Sequence, residues 1–199
     1  MNLDHLVWPT DGWGYMPPQD DVYAAFRYVQ EHYKPKSIFE IGFHMGHSTT
    51  YQLEIMPQAK MTTMGPISEP NLPREKPDPK MRLGQIEKMY EVYGDFHEGG
   101  RFQHLQGKTQ YIQNAILEEY NRRFDYALID GYHKKWAVEM DSTMCEDLGI
   151  PVVLIDNWDQ SEVRDTVLKH TDYKEVKVFN YEQTWKGIDY VNQMGLCTL

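Results

Sequence analysis

Two short apolar runs in this sequence end in carboxylates. The run 124–129 leads into Asp130-Gly131, and the run 151–155 leads into Asp156-Asn157. Such runs read as strands buried on both faces. Parallel neighbours lie roughly 5 Å apart, so carboxylates at matching ends would converge. Asp130, Asp156 and the amide oxygen of Asn157 then form an all-oxygen set suited to a hard cation such as Mg²⁺. Two carboxylates that close would otherwise push one pKa up. Taken singly, Asp-Gly and Asp-Asn after a strand are also ordinary turn formers. His133 follows Asp130 by three positions. An unperturbed pKa of roughly 6.5 suits a general base near neutrality. A surface-loop histidine is the plainer alternative in a chain with 8 histidines.

A third candidate is EIGFHMGHS (40–48), a strand running through Gly42 and Gly46 into a helix. Glycines at such a turn let backbone approach a ligand, and the helix start offers N–H groups to an anion. The spacing is not that of the dinucleotide-binding fingerprint. Tight strand-to-helix turns also use glycine with no ligand present.

The elements that must position these residues alternate. Strands are expected at 37–43, 59–64, 101–107, 124–130 and 151–157, and helices at 20–33, 48–56, 81–93, 111–123, 134–148 and 161–171. This βα rhythm predicts a parallel sheet with helices on both faces. Two late strands, 173–181 and 186–194, have no helix between them and predict an antiparallel hairpin at one edge. Prolines at 66, 70, 73, 77 and 79 make the start of 65–100 an extended loop leading into a helix, an insertion that is either a lid or simply solvated. The N-terminal 1–35 segment joins an aromatic stretch to a helix. Its Trp8, Trp13 and Tyr15 either lie over a ligand or pack the N-terminus down.

The chain has 199 residues, 41% hydrophobic and 25% charged, which suits one globular domain over 1–199. No apolar stretch approaches the ~18 residues that span a bilayer. The N-terminus lacks the basic start and apolar run of a secretory signal, so no membrane partner is expected. Cys145 and Cys197 make no disulfide framework, and a cytoplasmic setting is expected. A net charge of −10 disfavours a nucleic-acid partner and suits solubility.

In order and spacing, EIGFHMGHS, GKTQ (107–110), LIDGYH and VVLIDN resemble class I S-adenosylmethionine-dependent methyltransferases. Within them the likeness is greatest to the metal-dependent O-methyltransferases of the catechol and macrolide-sugar types. The resemblance implies an α/β, Rossmann-like methyltransferase fold. That fold is a mostly parallel seven-stranded sheet with helices on both faces and an antiparallel C-terminal hairpin. It implies S-adenosylmethionine as cofactor. Glu40, Gly42, Phe43, Gly46 and Ser48 would hold its methionine end, with Ser48 at the carboxylate. Thr109 and Gln110 would lie beside the adenine, and Asp130 would border the same site. It implies a divalent cation, Mg²⁺ by its donors, on Asp130, Asp156 and Asn157. His133 takes the place of the catalytic base, with Asp130 beside it as the second catalytic residue. A small-molecule substrate would meet Tyr132, Trp136 and Trp158, with Trp8, Trp13 and Tyr15 above, and a homo-oligomer is compatible with all of this.

The sequence departs from that family at one place. Members usually carry an acid at the end of the second strand, facing the ribose hydroxyls, where this chain has Gly65. Charge-assisted contacts of that kind are worth on the order of 1.5–3 kcal/mol each. Glu69 stands a few residues later. The alternative function is therefore a degenerate methyltransferase fold serving as a ligand-binding or interaction module.

Overall fold

Apolar spacing shapes the first element. Val22, Ala25, Phe26 and Val29 are fully buried along one face of α1 (Asp20–His32), the i, i+3, i+4, i+7 pattern of an amphipathic helix. The structure, a computed structural model, describes residues 20–67, 78–121, 123–185 and 188–199, without the side chains of 183–185 and 188. Trp8, Trp13, Tyr15 and Glu69 lie outside the described residues.

After α1 come β1 (Ser37–Ile41), α2 (His47–Ile55), β2 (Lys60–Gly65), α3 (Pro79–Tyr93) and β3 (Phe102–Gln106). Then follow α4 (Thr109–Tyr120), β4 (Tyr126–Ile129), α5 (Lys135–Asp147), β5 (Val152–Ile155), α6 (Ser161–His170), β6 (Lys174–Trp185) and β7 (Ile188–Thr198). The sheet order is β3-β2-β1-β4-β5-β7-β6, and β7 alone runs antiparallel to its neighbours. Period-two alternation divides the core into two layers. Ile38, Tyr126, Leu128, Val152 and Leu154 pack with α1, α2 and α3. Phe39, Ile41, Ala127, Ile129, Val153 and Ile155 pack with α4, α5 and α6.

α3 begins two residues before the expected helix. Pro79 occupies its first turn, and the Asp78 carboxylate accepts the Lys80 N–H at 2.7 Å, a cap and a pre-set φ that favour initiation there. Ile86, Met89 and Tyr93 bury its inner face. α3 is thus the crossover joining β2 to β3, not an appendage to the sheet.

The hairpin also differs from expectation. β7 continues to Thr198, beyond the expected end at 194. Gly195 is needed inside the strand because a Cβ there would sit 2.2 Å from the Trp158 ring. β5 pairs with β7 only from Val152↔Thr198 to Ile155↔Gly195, whereas β6 and β7 stay paired out to Trp185↔Ile188. The hairpin therefore overhangs the carboxyl end of β5 by roughly 20 Å at strand rise. Among the described residues no helix is long and apolar enough to cross a membrane.

Candidate active site

Three ladder bonds carry the sheet one residue past its strand ends and build the site. Gly42 N–H donates to the Met64 carbonyl at 2.8 Å, Asp130 N–H to Ile41 at 2.8 Å, and Asp156 N–H to Ile129 at 3.0 Å. Gly42, Asp130 and Asp156 thus stand in adjacent rows at the carboxyl ends of β1, β4 and β5. The strand order reverses between β1 and β4, the position where open α/β sheets take ligands.

The glycines of the first loop are required from within the chain. Gly42 has φ 106, and a Cβ on it would fall 1.9 Å from the Asp130 carbonyl oxygen. Gly46 has φ 73, and its Cβ would lie 2.9 Å from the Phe43 ring. Phe43 itself is buried against Phe102 and His104. Both glycines are thus required by the chain's own packing. What the turn offers an anion is the start of α2, whose N-cap Gly46 supplies no side-chain cap.

Glu40, two residues after Ile38, shares its face and points into the first core layer, wholly buried. The Ser48 and Thr49 hydroxyls each donate to one of its carboxylate oxygens. Burial pushes its pKa up to about 8, against the pull of the two hydroxyls, and the Asp130 charge adds to the push. Ser48, expected at a cofactor carboxylate, gives its hydroxyl to Glu40 in this structure.

On the other side of Gly42, one ligand atom from each of Asp130, His133 and Asp156 falls within 4.8 Å of the others. His133 Nε2 is 3.6 Å from Asp130 Oδ1, an ion contact longer than a hydrogen bond. Burial pulls the imidazole pKa down, but Asp130 at close range, with Asp156 and Asp141 behind it, outweighs burial and raises it. Asp156 is buried, and desolvation and the Asp130 charge push its pKa up to about 7. Asn157, at φ 55, gives its amide nitrogen to Asn192 on the hairpin. Two carboxylates from strand ends, with an imidazole beside them, make a donor set that fits a divalent cation, and Asn157 follows Asp156 at the same strand end.

Thr109 and Gln110 open α4, and Gln110 is exposed. The Thr109 hydroxyl donates to Asp141 Oδ1 at 2.5 Å. Asp141 lies on the inner face of α5, with Oδ2 2.9 Å from where a Gly131 Cβ would be. It ties the turn before α4 to the loop carrying Asp130 and His133. Sequence reading missed it, although Ala137, Val138, Asp141, Met144 and Cys145 form one helical stripe in which a carboxylate is out of place.

Of the aromatic wall, Tyr132 and Trp136 are 59% and 53% exposed with rings 6.0 Å apart, open to a substrate. Trp158 is a correction. It is fully buried, packs on Gly195 and donates its indole N–H to Glu175 at 2.6 Å. It belongs to the core under the hairpin.

Gly65 closes β2. Its carbonyl accepts from His104 Nε2 at 3.1 Å and from Gly107 N–H at 3.3 Å. The other imidazole nitrogen meets the Thr63 hydroxyl at 2.9 Å, and burial pulls the His104 pKa down to about 4. A side chain at 65 would crowd the Phe43 backbone nitrogen at 3.1 Å. Gly65 therefore goes with the close approach of the first loop to the end of β2. A cavity of about 250 Å³ between β3 and α4, lined by Gln106, Ile112 and Tyr120 among others, lies beside the Thr109 turn and does not reach Asp130.

No protein-family model matches this sequence, and no curated protein does. Solved structures do match in fold. The O-methyltransferase from Bacillus cereus in complex with SAH is 14% identical, with 93% of this chain and 83% of that chain covered, at TM-score 0.61. TomG, an O-methyltransferase from Streptomyces achromogenes in complex with SAM, is 13% identical over 92% and 81%, at TM-score 0.62. Precorrin-6y C5,15-methyltransferase from Geobacter metallireducens is 12% identical over 98% and 93%, at TM-score 0.60. At these identities the likeness is one of fold. The chain has the Rossmann-like methyltransferase fold, with its mostly parallel seven-stranded sheet and antiparallel C-terminal hairpin.

Proposed function

We propose that this chain is an S-adenosylmethionine-dependent methyltransferase acting on a hydroxyl of a small molecule with help from a divalent cation. The observation that carries the proposal is the convergence of Asp130, His133 and Asp156 at strand ends beside the Gly42–Gly46 turn. The fold supports methyl transfer, and the similar structures include an O-methyltransferase and a C5,15-methyltransferase. The hydroxyl reading therefore rests on the donor set. When bound, a divalent cation lowers the pKa of a hydroxyl it touches. The chain's own part is to hold that hydroxyl at Asp130 and Asp156, to present Tyr132 and Trp136 to the rest of the acceptor, and to take the proton on His133 Nε2. The carboxylates that raise the His133 pKa are the ones a cation would share, which frees Nε2 to accept. Alignment of acceptor oxygen, methyl carbon and sulfur supplies most of the rate. For the cofactor, the uncapped start of α2 suits a carboxylate.

The test is thermal denaturation with added S-adenosylmethionine or its demethylated product. A ligand at 100 times its Kd adds about 2.7 kcal/mol to the stability of the native state. A rise in Tm that saturates with cofactor supports the reading. An unchanged Tm at millimolar cofactor removes it and favours a binding or interaction module.

A further inference from the structure

The overhanging end of the hairpin reaches the strand ends through a chain of side-chain hydrogen bonds. Tyr181 and Asn192 face each other across β6 and β7, and both are buried. Tyr181 Oη lies 2.6 Å from Asp156 Oδ1, and Asn192 Nδ2 lies 2.6 Å from Tyr181 Oη. Asn157 Nδ2 lies 3.1 Å from Asn192 Oδ1, and the backbone N–H of Gln193 lies 2.9 Å from the same oxygen. A further rung, Trp158 N–H to the Gln193 carbonyl at 2.9 Å, fastens the loop after Asn157 to β7.

The backbone N–H fixes the direction of the whole chain. It can only donate. The end of Asn192 that it meets must therefore be the oxygen, which settles an amide orientation that atom positions alone leave open. The partner of that oxygen on Asn157 must then be the amide NH₂, which leaves Asn157 Oδ1 as the atom turned away from the hairpin. Asn192 Nδ2 must donate to the tyrosine oxygen, and the tyrosine O–H must donate to Asp156. Asp156 is held as an acceptor at Oδ1.

We infer that Tyr181 and Asn192 are positioning residues for a cation site. They lock Asp156 in one rotamer and turn the Asn157 carbonyl oxygen, not its NH₂, toward the site. This deepens the proposed function and rests on its reading of Asp130, Asp156 and Asn157 as cation ligands. The device has a physical purpose. A hard cation takes a carbonyl oxygen and is repelled by an amide NH₂, and an asparagine at a strand end with no second partner is free to present either. Outer-shell hydrogen bonds of this kind typically carry a 10–100-fold effect on metal affinity.

The experiment titrates the full-length chain, without cofactor or substrate, with Mn²⁺ and follows the free-ion signal by electron paramagnetic resonance. Tyr181→Phe keeps the ring and removes the donor. Tyr173→Phe is the control, since Tyr173 is equally buried and its hydroxyl donates to the Ile150 carbonyl, remote from the ligands in the chain of bonds. The expected result is Mn²⁺ affinity about 10–100-fold weaker in Tyr181→Phe and unchanged in Tyr173→Phe, at similar Tm. Asn192→Ala carries the same expectation and serves where Tyr181→Phe does not fold. A parent that binds Mn²⁺ and a Tyr181→Phe chain that binds it equally well overturn the positioning role alone. A parent that binds neither Mn²⁺ nor Mg²⁺ overturns the cation reading and the positioning role with it.

Discussion

Replacing Glu40 by glutamine isolates the electrostatic cost of the residue that joins β1 to α2. Glu40 is fully buried and accepts from Ser48 and Thr49, yet burial holds its pKa at about 8 against 4.5 in the exposed group. Between those values the folded chain keeps a proton that the unfolded chain has released. Stability is therefore lost as pH rises through the window. One pKa unit is about 1.4 kcal/mol. The unfolding free energy of the parent minus that of Glu40→Gln should thus fall by about 1.4 kcal/mol per pH unit from about pH 5 to about pH 8, and be flat on either side. The full drop would be on the order of 3–5 kcal/mol, a large share of the roughly 5–15 kcal/mol that holds a domain together. Urea denaturation followed by tryptophan fluorescence at pH 5, 6, 7, 8 and 9 measures it. Asp141 and Asp156, whose pKa values burial also raises, are present in both chains and largely cancel in the difference. A difference that does not vary with pH would mean that Glu40 stays ionised in the fold, with two hydroxyls enough to solvate it. Burial would then not decide the charge of this group.

Two further outcomes test the site and its frame. Trp158→Ala should lose about 3–5 kcal/mol in urea unfolding, because it removes a fully buried ring and the indole bond to Glu175; a variant as stable as its parent would return Trp158 to the substrate wall. His133→Ala should slow methyl transfer by roughly 10²–10⁴-fold while leaving Mn²⁺ affinity intact, if Nε2 moves the proton; parallel loss of Mn²⁺ affinity would make it a cation ligand instead, and full activity would remove it from the mechanism.

What could be read from the sequence followed from local periodicity. The apolar runs of β1, β4 and β5 announced buried strands, and their ends announced Asp130 and Asp156, because a ladder of parallel strands aligns its termini without help from loops. The same reasoning misplaced Trp158. A residue just past a strand end can turn outward to a ligand or inward to the core, and the choice at this position was made by Gly195, which is distant in sequence and leaves room for the ring. Asp141 was visible in principle, as a carboxylate in the buried stripe of α5. A carboxylate at a strand end signals a site by its position, whereas one on a helix face does so only through the buried neighbours of its stripe.

Tyr181 and Asn192 were not legible, and the reason is register. A tyrosine in a strand is unremarkable, and an asparagine near the end of an expected strand reads as the start of a turn. Their roles exist only because β6 and β7 pair so that these two residues oppose each other, and because β7 rather than β6 lies against β5. A shift of one residue would send both side chains to the other face and leave Asp156 and Asn157 without partners from the hairpin. The site is therefore specified twice. The strand ends bring Asp130 and Asp156 together, and the pairing of a hairpin well downstream decides which atoms of Asp156 and Asn157 are engaged by Tyr181 and Asn192, and so which would face a cation under the proposed reading.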